Sequence, residues 1–296
     1  MALFYAERYL AHKSIGWFIC IKNYVEELDD TIAFMFKMFE KVEPKGDCTV
    51  LTGSFYLQYE DEKSISLSFE NNKIAHSSNP GIILGELYEA AFLPVFLEKP
   101  HWWYMHGGAV SLNSKAVILT GTTHAGKTTM ISTMCSKGCS YLSDDIVPVS
   151  VDKYFVTSFP HPITSRNIYN MDADTLREHF HISRLKMIGK NKLAPNGDDK
   201  FIMNPRSYVD TSEEIPIAAI IILKRKTEGF SGVSMKKLDS MEAFIKLLLN
   251  SRNPECMEKN RSTAAGVLKK CPVYEIEYAE SSEAAPYIIE LLNVGA

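Results

Sequence analysis

The sequence contains no CxxC pair. Its six cysteines, Cys20, Cys48, Cys135, Cys139, Cys256 and Cys271, are scattered along 296 residues. In a chain this long they read as reduced thiols of a cytosolic protein, not as a disulfide framework. A basic excess is also missing. The formal net charge is -4, which argues against a nucleic-acid or anionic-membrane partner. No apolar run is long enough to span a bilayer, since the longest, GIILGELYEAAFLPVFLEKP, is interrupted by Glu86, Glu89 and Pro94. The opening MALFYAERYLAHKSIGW carries Glu7, Arg8 and Lys13 and reads as neither a signal nor a transit peptide. Repeats and low-complexity runs are lacking as well. What remains is 46% hydrophobic and 23% charged residues, a composition that can bury at least one full core and is expected in the cytoplasm.

Two parts are expected: an α+β segment over residues 1–100 and an α/β body over 101–296. In the first, Val25, Leu28, Ile32, Phe36 and Phe39 recur at helical spacing within YVEELDDTIAFMFKMFE. SFYLQYE and SISLSFE alternate as strands, with turn chemistry in ENNK. Residues 82–97 return to helical character. Nothing in this part carries recognisable chemistry. In the second part, KAVILTG reads as a strand buried on both faces, KTTMISTMCSKG as a helix stopped by Gly138, and SYLSDDIVPV as one further strand. Strand, loop, helix, strand predicts a βαβ unit with a right-handed crossover. Further on, KYFVTSF and IPIAAIIIL read as strands and ADTLREHFHIS as a polar helix. The tail from Ser240 reads as helix, helix, strand (PVYEIEYA), helix (SSEAAPYIIELL).

Between the strand and the helix lies Gly121-Thr122-Thr123-His124-Ala125-Gly126-Lys127-Thr128, which satisfies GxxxxGK[ST] at every fixed position. Each fixed residue has a physical task. Gly121 and Gly126 let the backbone bend so that successive N–H groups face a phosphate. Lys127 neutralises charge between the β- and γ-phosphates, and Thr128, followed by Thr129, opens the helix and offers a hydroxyl to Mg2+. The helix points its positive end at the anion. His124 is bulky for such a loop and is expected to face outward.

Asp144 and Asp145 follow across that helix. One carboxylate is suited to hold Mg2+ and the other to accept a proton from an attacking hydroxyl. Like charges this close raise one pKa unless a metal or Lys127 compensates. Capping of the turn before Pro148 is the plainer role open to them. His106, in MHGGAV, opens a segment leading into the loop's own strand; its candidate task is to hydrogen-bond an aspartate.

HGGAV, VILTGTTHAGKTTM and LSDDIVPV, in that order and spacing, resemble the HPr kinase/phosphorylase superfamily, whose P-loop fold is akin to that of phosphoenolpyruvate carboxykinase. The resemblance covers residues 104 to 166 best. It implies a Mg2+-dependent serine/threonine kinase using ATP or another nucleoside triphosphate, in which His106 supports Asp144, Asp144 is the general base, Asp145 and Thr128 serve the metal, and Lys127 holds nucleotide. EIRGLG-like and PVxPGRN-like segments are absent, which points away from HPr itself. The chain is more similar to divergent members encoded with ribosomally made peptides, including kinases of lasso-peptide precursors. The implied acceptor is therefore a peptide or small protein. In such proteins SFPHPITSR lies near the acceptor, making Arg166 a candidate substrate-binding residue. Lys190, Lys192 and Lys200 sit in a polar loop that reads as solvated first and as a clamp second. Family habit adds a possible homo-oligomer. HPr kinase proper, a nucleotide hydrolase using water and a nucleotide-holding module without transfer remain open.

Overall fold

The computed structural model describes residues 4–12, 15–41, 53–97, 101–165, 173–185, 200–209, 213–226, 230–252 and 257–293. The chain divides into two compact units: Met1–Glu98 with Pro162–Asn204, and Lys99–His161 with Pro205–Ala296. Residues 162–204, which the sequence places in the second body, thus cluster with the first. Among the described residues no helix is long and apolar enough to cross a membrane.

The first unit opens with strands β1 (Ala6–His12) and β2 (Trp17–Asn23), helix α1 (Asp29–Met35) and the short β3 (Glu40–Lys41). Strands β4 (Gly53–Tyr59), β5 (Ile65–Phe69) and β6 (Asn72–Ser77) and helix α2 (Pro80–Leu97) follow. The strands lie in the order β3-β1-β2-β4-β5-β6, with β2 and β4 parallel and the other neighbours antiparallel. β1 is illegible in the sequence because Glu7 and Arg8 break its apolar pattern. The two terminal guanidinium nitrogens of Arg8 donate to the Asp29 carboxylate, at 2.6 and 2.5 Å. The helix expected over 24–40 shortens to α1, because residues 40–41 leave it to pair with β1. Phe36 and Phe39 instead join Trp17 and Phe92 in an aromatic cluster, where the Trp17 indole donates to the Ala91 carbonyl at 2.7 Å.

In the second unit, β7 (Trp102–Met105), β8 (Gly107–Leu112), β9 (Lys115–Thr120), α3 (Lys127–Ser136), β10 (Ser140–Ser143), β11 (Val147–Ser150) and β12 (Phe155–Thr157) come first. The chain then contributes β13 (Ile163–Ser165), α4 (Ala173–His179), β14 (Phe180–Leu185) and β15 (Lys200–Pro205) to the first unit. Those strands pair among themselves in the order β13-β15-β14, which is why they part from the second sheet. β16 (Glu214–Arg225), β17 (Val233–Lys237), α5 (Ser240–Leu249), α6 (Met257–Lys270), β18 (Val273–Tyr278) and α7 (Ser281–Asn293) complete the second unit.

Its sheet runs β10-β8-β9-β16-β12-β11-β7, with β18 parallel to β16 and β17 antiparallel to β18. β9 and β16 are parallel, Ile118 opposite Ile220, and both are almost wholly apolar because the sheet is covered on both faces. Ala116 and Ile118 pack with Ala243 and Leu247 of α5 and Ala264 and Val267 of α6. Val117 and Leu119 point the other way by strand alternation, to the face where α3 and α7 pack.

Two expectations are corrected here. β9 and β10 do not form a simple βαβ pair, because β8 lies between them, antiparallel to both. The cause is local: Asn113 and Ser114, at φ 52 and 55, form a two-residue turn that folds β8 onto β9. SYLSDDIVPV is not one strand. β10 pairs with β8 and β11 pairs with β7, so the chain bends at the aspartates between them.

Candidate functional site

The glycine loop leaves the carboxyl end of β9 and enters α3. Gly121 has φ 148, and a Cβ there would lie 2.7 Å from the Leu223 carbonyl oxygen. Gly126 has φ 86, and a Cβ there would lie 2.6 Å from the Tyr278 hydroxyl. Both positions are therefore closed to side chains by conformation and by space. The Ala125 N–H donates to the Thr122 carbonyl at 3.1 Å, and the Tyr278 hydroxyl donates to the Ala125 carbonyl at 2.8 Å. Burial pushes the Tyr278 pKa up to about 12, so it remains a donor. Thr122, Thr123 and His124 are exposed, with His124 in the left-handed region at φ 67. Thr129 is exposed on the first turn of α3. The Lys127 ammonium lies back over the loop and donates to the Gly121 and Thr122 carbonyls, each at 3.1 Å.

The aspartate bend sits beside the start of α3. The Thr128 hydroxyl donates to Asp144 Oδ2 at 3.0 Å. Asp144 is 5% exposed; burial first, then the charge of Asp145, pushes its carboxyl up to about 6 against the pull of Thr128 and Lys127. Asp145 takes φ 69 and turns its side chain elsewhere. His106 Nδ1 lies 3.0 Å from Asp145 Oδ1, and an Arg252 guanidinium nitrogen donates to the same oxygen at 2.9 Å. Burial alone would raise the Asp145 pKa. The His106 hydrogen bond and the charges of Arg252 and His161 hold it well below the usual carboxylate range. Lys127 is lowered by burial; Asp144 and Asp145 draw it back up while Arg252 opposes them.

The structure thus brings together Gly121 through Thr128, Asp144, Asp145 and His106. His106 engages Asp145 and not Asp144, contrary to the pairing implied by the family resemblance. The reason is backbone placement: the Gly107 N–H donates to the Asp145 carbonyl at 3.4 Å, which sets the residue before β8 beside the second aspartate. Arg166, Lys190 and Lys192 lie outside the described residues, and only the backbone of Lys200 is described. Sequence reasoning missed Arg252, Tyr278 and Arg225. Arg225 ends β16, and its side chain would lie 3.6 Å from a Cβ at Gly126. An arginine at the end of a strand parallel to β9 is a signal the sequence offers only once that pairing is known.

The donor set suits a magnesium–nucleotide pair. The Thr128 hydroxyl and an aspartate carboxylate are hard oxygens of the kind Mg2+ takes alongside phosphate, and the loop is shaped for close backbone approach.

No family model and no curated protein matches the sequence. Among solved structures, the Hpr(Ser) kinase/phosphatase from Coxiella burnetii matches over 64% of this chain and 93% of that chain, with a TM-score of 0.28 and 10% identity. A likeness of that degree carries neither a fold nor a function argument. The chain's own sheets and helices define a mixed α/β protein.

Proposed function

We propose that the chain is a Mg2+-dependent kinase that moves the terminal phosphate of ATP to a serine or threonine hydroxyl of a peptide or small protein. A ribosomally made precursor peptide is the acceptor the family resemblance favours. The observation that carries the reading is the Thr128–Asp144 hydrogen bond, because it joins the phosphate loop to the carboxylate pair. Binding, by the loop amides and Lys127, is most of what phosphoryl transfer asks of a protein. The acceptor oxygen bonds to the γ-phosphorus as the bond from that phosphorus to the β,γ-bridging oxygen breaks. The nucleoside diphosphate leaves with that oxygen, and the hydroxyl proton passes to Asp144, whose raised pKa gives it the basicity for the task. Thr128 and Asp145 would hold Mg2+, which disperses charge over the phosphate oxygens.

A second reading exchanges the two carboxylates. Thr128 lies on Asp144, and the Asp145 side chain, 48% exposed, is the one an acceptor from solution meets first. Asp144→Asn and Asp145→Asn separate the two. The variant that keeps Mg-nucleotide affinity but loses transfer has lost the base, and the one that loses affinity has lost the metal ligand. The kinase reading itself is tested by intact-mass analysis of serine-bearing peptides incubated with Mg-ATP, where one added phosphate is expected. Phosphate release at the same rate with and without peptide, and no mass gain, would identify a water-using hydrolase instead.

A further inference from the structure

The segment after α5 is stitched onto the segment before β8. The His106 N–H donates to the Asn250 carbonyl at 2.7 Å, and the Arg252 N–H donates to the Tyr104 carbonyl at 2.9 Å. Met105 and Ser251 form an antiparallel bridge between these bonds. The Ser251 hydroxyl is held from two sides, by the Trp103 indole at 3.1 Å and the Asn260 amide at 2.7 Å. The backbone of Arg252 is therefore fixed in the same short pairing that fixes His106, and the two side chains converge on one oxygen of Asp145.

That arrangement contributes little as an ion pair. The Arg252 and Asp145 side chains are 40% and 48% exposed, and exposed pairs add little to stability. A single guanidinium nitrogen reaches Asp145 among the described residues, on a group with five N–H donors. The charge of Arg252 also reaches Lys127. Two cations within electrostatic range repel unless anions lie between them, and among the described residues the carboxylates that offset them are Asp144 and Asp145, the latter shared with His106. A planar fork beside a point-charge ammonium is the pairing that oxygens of a phosphate accept.

We propose that Arg252 is the second phosphate-binding cation of this site, supplied in cis, its guanidinium bridging Asp145 and the terminal phosphate of the bound nucleotide. The inference rests on the nucleotide-binding reading above and extends it to a residue no motif marks. Lys127 serves both the β- and γ-phosphates; Arg252, reaching in from the Asp145 side, serves the terminal phosphate alone.

The test compares nucleotides that differ only in that phosphate. Full-length protein with Mg2+ is titrated with adenine and guanine diphosphates and with their β,γ-imido triphosphate analogues. Arg252→Ala is expected to weaken the triphosphate analogue at least about tenfold while leaving diphosphate affinity within about twofold, the scale of one charge-assisted contact. Arg252→Lys should recover part of the loss, and free guanidinium at non-denaturing concentration should recover part of the triphosphate affinity of the alanine variant. Equal weakening of both nucleotides, or of neither, in a variant whose melting curve matches wild type overturns the proposal and leaves the nucleotide site standing. If the alanine variant melts early, the same comparison is made with Arg252→Gln, which keeps the stem and removes the charge. Wild-type protein that binds none of the four nucleotides overturns both.

Discussion

The glycine loop and the aspartate bend lie side by side, yet they are held by opposite means. The loop is largely self-supporting: Ala125 bonds to Thr122, Lys127 bonds to Gly121 and Thr122, and Met130 closes the first helical turn on Gly126 at 2.9 Å. The Tyr278 hydroxyl clamps its middle from elsewhere. The bend is held from outside. Asp144 depends on Thr128 of α3, and Asp145 depends on His106 before β8 and Arg252 after α5. A self-supporting element tolerates change in its surroundings, whereas an externally held one gathers information from several parts of the chain. On the proposed reading, the loop binds and the bend decides what is done with the phosphate.

The comparison is broken most forcefully at Lys127. Lys127→Ala is expected to lower phosphate transfer by about 10²–10³-fold, the scale of losing one preorganised charge-stabilising donor, read as phosphopeptide formed per unit time. Gly126→Ala comes next: with φ 86 and the Tyr278 hydroxyl in the way, about 1–3 kcal/mol of stability should be lost in denaturant unfolding. Tyr278→Phe is milder. It removes the donor to Ala125 and should cost about 1 kcal/mol in the same measurement, showing how far the loop stands without its outside clamp. The effect on the site itself is smallest at Glu275, on the strand that carries Tyr278 but paired with lysines outside both elements. This carboxylate, 2% exposed, meets Lys224 at 2.8 Å and Lys246 at 2.5 Å. Burial would raise its pKa, but those two lysines hold it down to about 2. A pKa lowered on folding gives stability that is full above the ordinary value of 4.5 and is lost as pH falls toward 2. Glu275→Gln should therefore flatten the acid limb of the stability curve between those values, with nucleotide affinity unchanged.

These contrasts also explain what was legible beforehand. The loop could be read because its chemistry is consecutive: each of Gly121, Gly126, Lys127 and Thr128 has a task that its neighbours in sequence make recognisable. The aspartates were visible as residues, but their surroundings were not. Nothing near Arg252 in the chain marks it, since its place beside Asp145 arises from the short pairing of residues 250–252 with Tyr104 and His106. The left-handed turn at Asp145 is not signalled by a glycine, so SYLSDDIVPV looks like a continuous strand although its halves belong to opposite reaches of the sheet. β4, β5, β9 and β16 were plain from alternation or unbroken apolar character, while β1 was hidden by Glu7 and Arg8, charges that find partners in tertiary structure. The departure of residues 162–204 to the first unit is set by strand pairing, which composition does not encode.

The two-residue turn at Asn113 and Ser114 has reach beyond its size. It sets Gly107 opposite Thr120, and so delivers His106 to the edge of the phosphate loop from the far end of a ladder six pairs long. One extra residue in that turn, if taken up as a one-step slip of the ladder and not as a longer loop, would turn every side chain of β8 to the other face. An insertion at the opposite end of the hairpin from any reacting group, harmless to the eye in an alignment, is thus expected to unhook the histidine from its carboxylate as surely as a substitution at His106.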